Sequence, residues 1–260
     1  MDLKVATLDR DGVVIHYEVH GEPTDRAPVL LTHGYSASAS MWDPNLAALG
    51  AHRQLLTWDL RGHGRSASPR DPERYSEPAS VEDMAAVLDA CGADRAVVGG
   101  LSLGGYLSLA FYLAHPHRVT GLLLFDTGPG FRNDEARAKW NRYAESTAVG
   151  FETEGLRSLS ASPEVGSDDH DPTGLALAAR GILTQRDPRI IESLPRVAVP
   201  TLVLVGADDK PFLAAADYMA AKIPGAVLAV LPDAGHASNI DQPAAFNRAV
   251  TGFLDREDIA

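Results

Sequence analysis

The sequence predicts an α/β fold, in which a mostly parallel, doubly wound sheet begins with an antiparallel hairpin and carries a helical insertion. Short apolar runs alternate with helical patterns over most of the 260 residues, as in sheets that are covered by helices on both faces. The alternation stops over residues 130–194 and then resumes. We therefore expect a core domain formed by residues 1–129 and 195–260, with residues 130–194 inserted as a helical lid. The plainer alternative is that these helices only cover the surface.

Turn signals define the first elements. Residues 3–8 and 13–19 alternate apolar and polar side chains around an Asp-Arg-Asp-Gly turn, which is typical of a β-hairpin. Apolar runs over residues 28–32 and 54–58 predict the next two strands, with a helix over about 41–49 between them. A further helix is expected to open at Ser80, with Asp83 in the capping-box position.

The central stretch is Val97-Val98-Gly99-Gly100-Leu101-Ser102-Leu103-Gly104-Gly105-Tyr106. A buried strand runs into Gly-x-Ser-x-Gly, and a helical pattern follows it. A strand that turns abruptly into a helix at a serine is a nucleophile elbow, whose cramped backbone admits only small neighbours. Gly100 and Gly104 supply that room, so Ser102 is the candidate nucleophile. The alternative is a glycine-rich turn in which the serine only caps the helix.

The remaining elements follow from apolar periodicity. Residues 118–125 predict a buried strand, and the insertion is expected to hold helices over 134–146, 150–159 and 174–184. Strands over 201–205 and 226–231, and helices over 211–222 and 243–254, complete the pattern.

A serine nucleophile needs a base, normally a histidine that is oriented by a carboxylate. Of the nine histidines, His236 follows the last strand in a loop, from which it can reach the carboxyl edge of the sheet. Asp209 follows the preceding strand and is the expected acid, with Asp208 as its near rival and Asp126 as a more distant one. The resulting order is nucleophile, acid, base, which is the order found in α/β-hydrolases.

Four patches carry a resemblance to the α/β-hydrolase fold superfamily over nearly the full length of the chain. They are His33-Gly34, Asp59-Leu-Arg-Gly-His-Gly-Arg-Ser66, the Gly-Leu-Ser-Leu-Gly elbow, and Gly235-His236 with Asn239-Ile-Asp-Gln-Pro243 behind it. The sequence most resembles the small lidded esterases and lactonases, a group that includes 3-oxoadipate enol-lactonases, non-haem haloperoxidases (perhydrolases) and carbon–carbon bond hydrolases. The His-Gly-Gly-Gly motif of many lipases is absent. A serine at the elbow also argues against haloalkane dehalogenases and epoxide hydrolases, which use an aspartate there.

The resemblance implies a serine hydrolase that needs no cofactor or metal and cleaves an ester or lactone of a small, partly apolar molecule. It implies that the backbone N–H groups of Tyr35 and Leu103 form the oxyanion hole. Apart from the resemblance, Arg61–Ser66 is expected to be a tight structural turn near the site, and His63 is not expected to be catalytic. Two alternatives stay open. The same triad could hydrolyse carbon–carbon bonds, form peracids or carry out a lyase step, and the scaffold could have become a non-catalytic ligand receptor.

Aromatic residues could line a pocket beneath the lid, although residues at helical spacing are more often plain core. The candidates are Trp42, Phe131, Trp140, Tyr143 and Phe151.

Composition excludes several classes of partner. The net charge of −12 and the lack of a basic run argue against nucleic acid and anionic membranes. The single cysteine, Cys91, cannot form an internal disulfide or a cysteine-based metal cluster. No signal sequence or membrane-spanning apolar stretch is recognisable. We therefore expect a cytoplasmic protein whose partner is a small-molecule substrate, with the choice between monomer and homodimer left open.

Overall fold

A computed structural model describes residues 3–159, 163, 165 and 170–259. The strands are β1 (Leu3–Arg10), β2 (Val13–His20), β3 (Val29–Thr32), β4 (Leu55–Trp58), β5 (Ala96–Leu101), β6 (Val119–Phe125), β7 (Thr201–Gly206) and β8 (Val227–Leu231). They form one sheet in the order β1-β2-β4-β3-β5-β6-β7-β8. Strand β2 pairs antiparallel with β1 and β4, and the other pairs are parallel. The mostly parallel sheet with its N-terminal hairpin is confirmed.

Helices cover both faces of this sheet. They are α1 (Asp43–Leu49), α2 (Glu77–Ala90), α3 (Leu103–Ala114), α4 (Asp134–Glu154), α5 (Pro172–Ala178), α6 (Arg189–Ser193), α7 (Lys210–Lys222), α8 (Ser238–Asp241) and α9 (Pro243–Leu254). Helices α1 and α9 bury apolar side chains against one face, and α2, α3 and α7 bury theirs against the other. Neighbouring residues of a strand face opposite sides of the sheet. In β5, Val97 packs on the side of α1 and α9, and Val98 packs on the side of α2, α3 and α7. The sheet is therefore doubly wound, as its continuous apolar strands require.

The start of α2 differs from the sequence prediction. The helix begins at Glu77, and the Ser76 hydroxyl accepts a hydrogen bond from the backbone N–H of the third helical residue. Ser80 lies inside the helix, so the predicted capping box is wrong. Asp83 is instead fully buried and forms a two-point ion pair with Arg61. A tertiary ion pair therefore uses the carboxylate that the local pattern had assigned to a cap.

The described part of residues 130–194 is helical and contains no strand. The sequence predicted two helices over 134–146 and 150–159, but α4 runs unbroken to Glu154. The helix continues through Gly150 because Ala148 and Phe151 bury against Leu175 of α5. Packing therefore outweighs the modest helix-breaking tendency of the glycine.

None of the helices in the described ranges combines the length and the apolar character that a membrane span requires.

Candidate active site

Ser102 lies at the junction of β5 and α3 in a strained backbone conformation. Its φ of 54° and ψ of −115° are rarely adopted by residues other than glycine. Hydrogen bonds hold this conformation: the Ser102 N–H donates to the Phe125 carbonyl at 2.9 Å, and the Thr127 hydroxyl donates to the Ser102 carbonyl at 2.5 Å. The turn from strand to helix at this serine has the form of a nucleophile elbow.

The glycines beside the serine allow α3 to approach β3 closely. A Cβ atom at Gly104 would lie 2.1 Å from the Thr32 carbonyl oxygen, and one at Gly100 would lie 2.4 Å from the same atom. Real Cβ atoms cannot approach backbone oxygens so closely. Both positions therefore require glycine for steric reasons.

His236 and Asp209 are in direct contact. The Nδ1 atom of His236 lies 2.8 Å from Oδ2 of Asp209, whose side chain is buried. The carboxylate can only accept, so Nδ1 carries the hydrogen and Nε2 is the nitrogen able to take up a proton. The Phe212 ring stacks on the imidazole at a centroid distance of 4.9 Å and restricts its rotation.

The two rival aspartates make other contacts. Asp208 uses its backbone N–H to bind the Ala234 carbonyl at 2.8 Å and joins the loops after β7 and β8. The buried carboxylate of Asp126 accepts from the Gly206 N–H at 2.8 Å and from the Ser238 hydroxyl. Burial raises the pKa of Asp126 to about 7, against the opposing effect of these two donors. Asp209 is thus the candidate whose carboxylate contacts the histidine.

His33 fixes the peptide group beside the serine. Its Nε2 accepts from the Leu60 N–H at 2.9 Å, so its Nδ1 carries the hydrogen and donates to the Gly34 carbonyl at 2.7 Å. Burial lowers the pKa of His33 to about 4, which keeps the ring neutral at pH 7. Since a peptide group is planar and trans, anchoring the Gly34 carbonyl also sets the direction of the Tyr35 N–H.

Two backbone donors lie beside the elbow. A Cβ atom at Gly34 would be 3.6 Å from Cβ of Ser102, which brings the Gly34–Tyr35 peptide next to the serine. Leu103 is the first residue of α3, where helical N–H groups lack an internal partner. Across the described part of the chain, neither the Tyr35 nor the Leu103 N–H donates to another protein group. Both can therefore donate to a bound oxygen.

The segment Arg61–Ser66 packs behind this peptide as a structural turn. The buried Asp59 carboxylate accepts from the backbone N–H groups of Ala39 and Arg65 at 2.7 and 2.9 Å. His63 is fully buried, with its ring 5.2 Å from that of His33. This loop therefore supports the backbone that carries Tyr35.

Ser102 opens onto a cavity of about 310 Å³ between the sheet edge and the insertion. Phe131, Trp140 and Phe212 contribute aromatic walls, and Leu103 lies beside the serine. The cavity lies at the lower end of the size range of small-molecule sites. Within the described ranges, no three His, Cys, Asp or Glu side chains are grouped as metal ligands.

Trp42 corrects one sequence expectation. It is fully buried between the sheet and helices α1 and α9, with its ring 6.1 Å from Phe125 and 6.4 Å from Phe246, and it does not line the cavity. Tyr143 also lies outside the lining: it is 58% exposed, with its ring 5.4 Å from that of Trp140. Phe151 is buried between α4 and α5. Helical spacing could not separate these core and surface positions from the cavity.

Gln185 and Thr127 line the cavity but were missed by sequence reasoning. Thr127 follows β6 at the carboxyl edge of the sheet, a position that could have drawn attention to it. Gln185 lies in the insertion, where no motif surrounds it. Asn141 binds both backbone groups of Gln185, at 2.8 and 2.9 Å, and so fixes its position.

Comparison with known proteins finds relatives and similar structures along nearly the whole chain. A sequence profile described as alpha/beta hydrolase family matches residues 29–249. A Caulobacter sp. (strain K31) protein that carries the name of a carbamate hydrolase, RutD, is 31% identical over 94% of this chain and 96% of its own length. The enol-lactonase from Burkholderia xenovorans LB400 superposes with a TM-score of 0.82 at 27% identity, covering 96% of this chain and 100% of its own. A thermophilic esterase from Thermogutta terrifontis superposes with a TM-score of 0.81 at 28% identity, covering 99% and 100% of the two chains.

Proposed function

This chain belongs to the alpha/beta hydrolase family, and we propose that it is a serine hydrolase that cleaves an ester or lactone of a small, partly apolar molecule. The observation that carries the proposal is the contact between His236 and Asp209 on the same sheet edge as a strained serine. Relatives named as an esterase and an enol-lactonase support the class of bond. Because the relatives are named for different reactions, we do not assign the substrate of any one of them to this chain.

The first step would be attack on the substrate carbonyl. His236 Nε2 takes the proton of the Ser102 hydroxyl while the oxygen forms a bond to the carbonyl carbon. Asp209 stabilises the imidazolium that results and holds its Nδ1–H in place. The carbonyl oxygen becomes negative and receives hydrogen bonds from the Leu103 and Tyr35 N–H groups. Each such donor contributes about 2.7–4 kcal/mol of transition-state stabilisation.

The tetrahedral intermediate then collapses. The bond to the leaving alkoxide breaks, His236 returns its proton to that oxygen, and an acyl-enzyme remains on Ser102. His236 takes a proton from water as the water oxygen attacks the acyl carbon. When the second intermediate collapses, the bond between the acyl carbon and the Ser102 oxygen breaks, His236 returns the proton to that oxygen, and the acid is released. For a lactone the leaving alkoxide stays attached to the acid product.

The helical insertion would act as a lid over this chemistry. Phe131 and Trp140 belong to residues 130–194 and lie in the wall of the same cavity as Ser102. The Tyr35 hydroxyl donates to the Leu175 carbonyl at 2.8 Å, which connects the insertion to the residue that carries a proposed oxyanion donor. Substrate selection would therefore depend on the insertion, and the core domain of residues 1–129 and 195–260 would supply the reacting groups.

Stopped-flow hydrolysis of p-nitrophenyl acetate, butyrate and octanoate tests the proposal. We expect a burst of p-nitrophenol in the wild type, and Ser102→Ala and His236→Ala are expected to lose the burst and at least about 10⁴-fold in kcat. The cavity of about 310 Å³ predicts a higher kcat/KM for butyrate than for octanoate. Full activity of Ser102→Ala would contradict the proposal. Turnover of a dienone or of acetate with peroxide, without turnover of any ester, would favour the alternative reactions.

A further inference from the structure

The cavity beside Ser102 has no charged lining. Its polar side chains are Ser102, Tyr106, Thr127 and Gln185, and its remaining lining residues are apolar or glycine. None of the basic residues beside the lining residues in sequence lines the cavity. Four of them are exposed, namely Arg132, Lys139, Arg186 and Lys210, and Arg137 binds the Phe131 carbonyl and Asp134. The eight residues within 160–169 that lie outside the described ranges include no Lys or Arg in the sequence.

An anionic substrate would therefore find no cation in this cavity. A carboxylate that is transferred from water to an apolar site without a partner loses its hydration and gains nothing equivalent. The net charge of −12 adds an unfavourable long-range field. The cavity therefore suits an uncharged molecule.

Gln185 can offer a bound molecule a specific polar contact in this cavity. The Phe131 N–H donates to the side-chain oxygen of Gln185 at 3.2 Å, which assigns Oε1 to that side and Nε2 to the other. No described residue accepts from Nε2, and this atom is not sealed within the core. Since Gln185 lines the cavity, its two unused N–H groups are available to an acceptor on a bound molecule.

We propose that the substrate is an uncharged ester or lactone with a second oxygen, such as a ketone, ether or hydroxyl, that accepts a hydrogen bond from Nε2 of Gln185. The inference rests on the proposed function and narrows it to neutral, oxygen-bearing acyl groups. Gln185 is then a specificity-determining residue that binds the substrate away from the reacting carbonyl. A substrate without the second oxygen would leave the Gln185 amide without a partner when it binds. Such an unpaired donor separates two substrates more strongly than apolar contacts alone can.

Three esters isolate the two parts of the inference. Ethyl 4-oxopentanoate carries the second oxygen, and ethyl pentanoate lacks it. Monoethyl butanedioate replaces the terminal methyl group of the first ester with a charged oxygen. Their binding to Ser102→Ala, which cannot consume them, is read from the fluorescence of Trp140, since this residue lines the cavity. In a Trp140→Phe variant the ligand-dependent change in fluorescence should disappear, which would assign that change to Trp140.

The oxo ester is expected to bind about three- to tenfold more tightly than the pentanoate, and the anion at least about 100-fold more weakly than the oxo ester. In the Ser102→Ala background, Gln185→Glu keeps an acceptor for the Phe131 N–H but removes the donor, and Gln185→Leu removes both. Either change should abolish the preference for the oxo ester. Gln185→Leu should weaken binding of the oxo ester more than binding of the pentanoate, because the pentanoate does not use the amide.

Equal binding of the two neutral esters, tight binding of the anion, or no binding of any ester would overturn the inference. Hydrolysis of the same three esters by the wild type separates it from the proposed function. Binding in the expected order without hydrolysis would contradict the hydrolase mechanism alone. Hydrolysis that favours the anion would contradict the inference alone.

Discussion

Replacing Asp209 with Asn tests the contact on which the proposed mechanism depends. The carboxylate lies 2.8 Å from His236 Nδ1 and fixes the hydrogen on that nitrogen. An asparagine amide at the same place can donate to Nδ1 and so move the hydrogen to Nε2, where it would block proton uptake from Ser102. The equivalent substitution in a serine protease lowers kcat by about 10⁴-fold. We expect a loss of similar size here, with KM changed by less than about threefold because Asp209 does not line the cavity.

Asp208→Asn is the matched control. The neighbouring residue contributes its backbone N–H to the Ala234 carbonyl, and an asparagine keeps that N–H, so the substitution should change kcat by less than about twofold. Initial rates with p-nitrophenyl butyrate between pH 6 and 9 give kcat and KM for both variants. Equal losses in the two variants, or a loss below about tenfold in Asp209→Asn, would refute the assignment of the acid.

Three further predictions concern the scaffold of the site. Gly104→Ala should reduce the free energy of unfolding by about 1–3 kcal/mol or more, because its Cβ would lie 2.1 Å from the Thr32 oxygen. Gly252→Ala, which meets nothing within 4 Å inside α9, should leave that free energy unchanged or raise it, and urea titration of both variants tests the pair. Asp126 has a folded-state pKa of about 7, above its unfolded value, so its contribution to stability is present at low pH and is lost as the pH rises through that value. Asp126→Asn should therefore reduce the loss of stability between about pH 4 and 7. Urea midpoints measured over this pH range test this, and a variant whose midpoints depend on pH as strongly as those of the wild type would contradict the raised pKa. His33→Leu removes the shorter of two hydrogen bonds to the Gly34 carbonyl and leaves the Ala37 N–H at 3.2 Å. It should lower kcat by up to about 100-fold, as expected when an oxyanion donor is displaced, and an unchanged kcat would show that the peptide does not need the histidine as an anchor.

Much of the architecture followed from local sequence because the strands are short, apolar and separated by recognisable turns. The hairpin turn is an example: Asp11 and Gly12 adopt the positive φ values of 55° and 84° that a tight two-residue turn requires. The elbow could be located for the same reason, since the steric demands of the turn leave a fixed pattern of glycines around Ser102.

Features that depend on tertiary contact could not be predicted in the same way. Asp83 matched a helix cap in sequence, but its carboxylate pairs with Arg61, which is 22 residues away. Trp42 matched a pocket residue by type, but the direction of its side chain follows from packing against Phe246. Gln185 carries no local signal, because its significance depends on the Phe131 N–H, which lies 54 residues earlier in the chain.

A covalent intermediate on Ser102 is the central claim, and locating the acyl group tests it most directly. The wild type is mixed with p-nitrophenyl butyrate, quenched in acid during the burst and digested for mass spectrometry, with Ser102→Ala treated in parallel. We predict a butyryl group on the peptide that contains Ser102, in an amount equal to the burst, and no such group in the variant. Turnover without an adduct, or an adduct on another residue, would contradict the proposed mechanism.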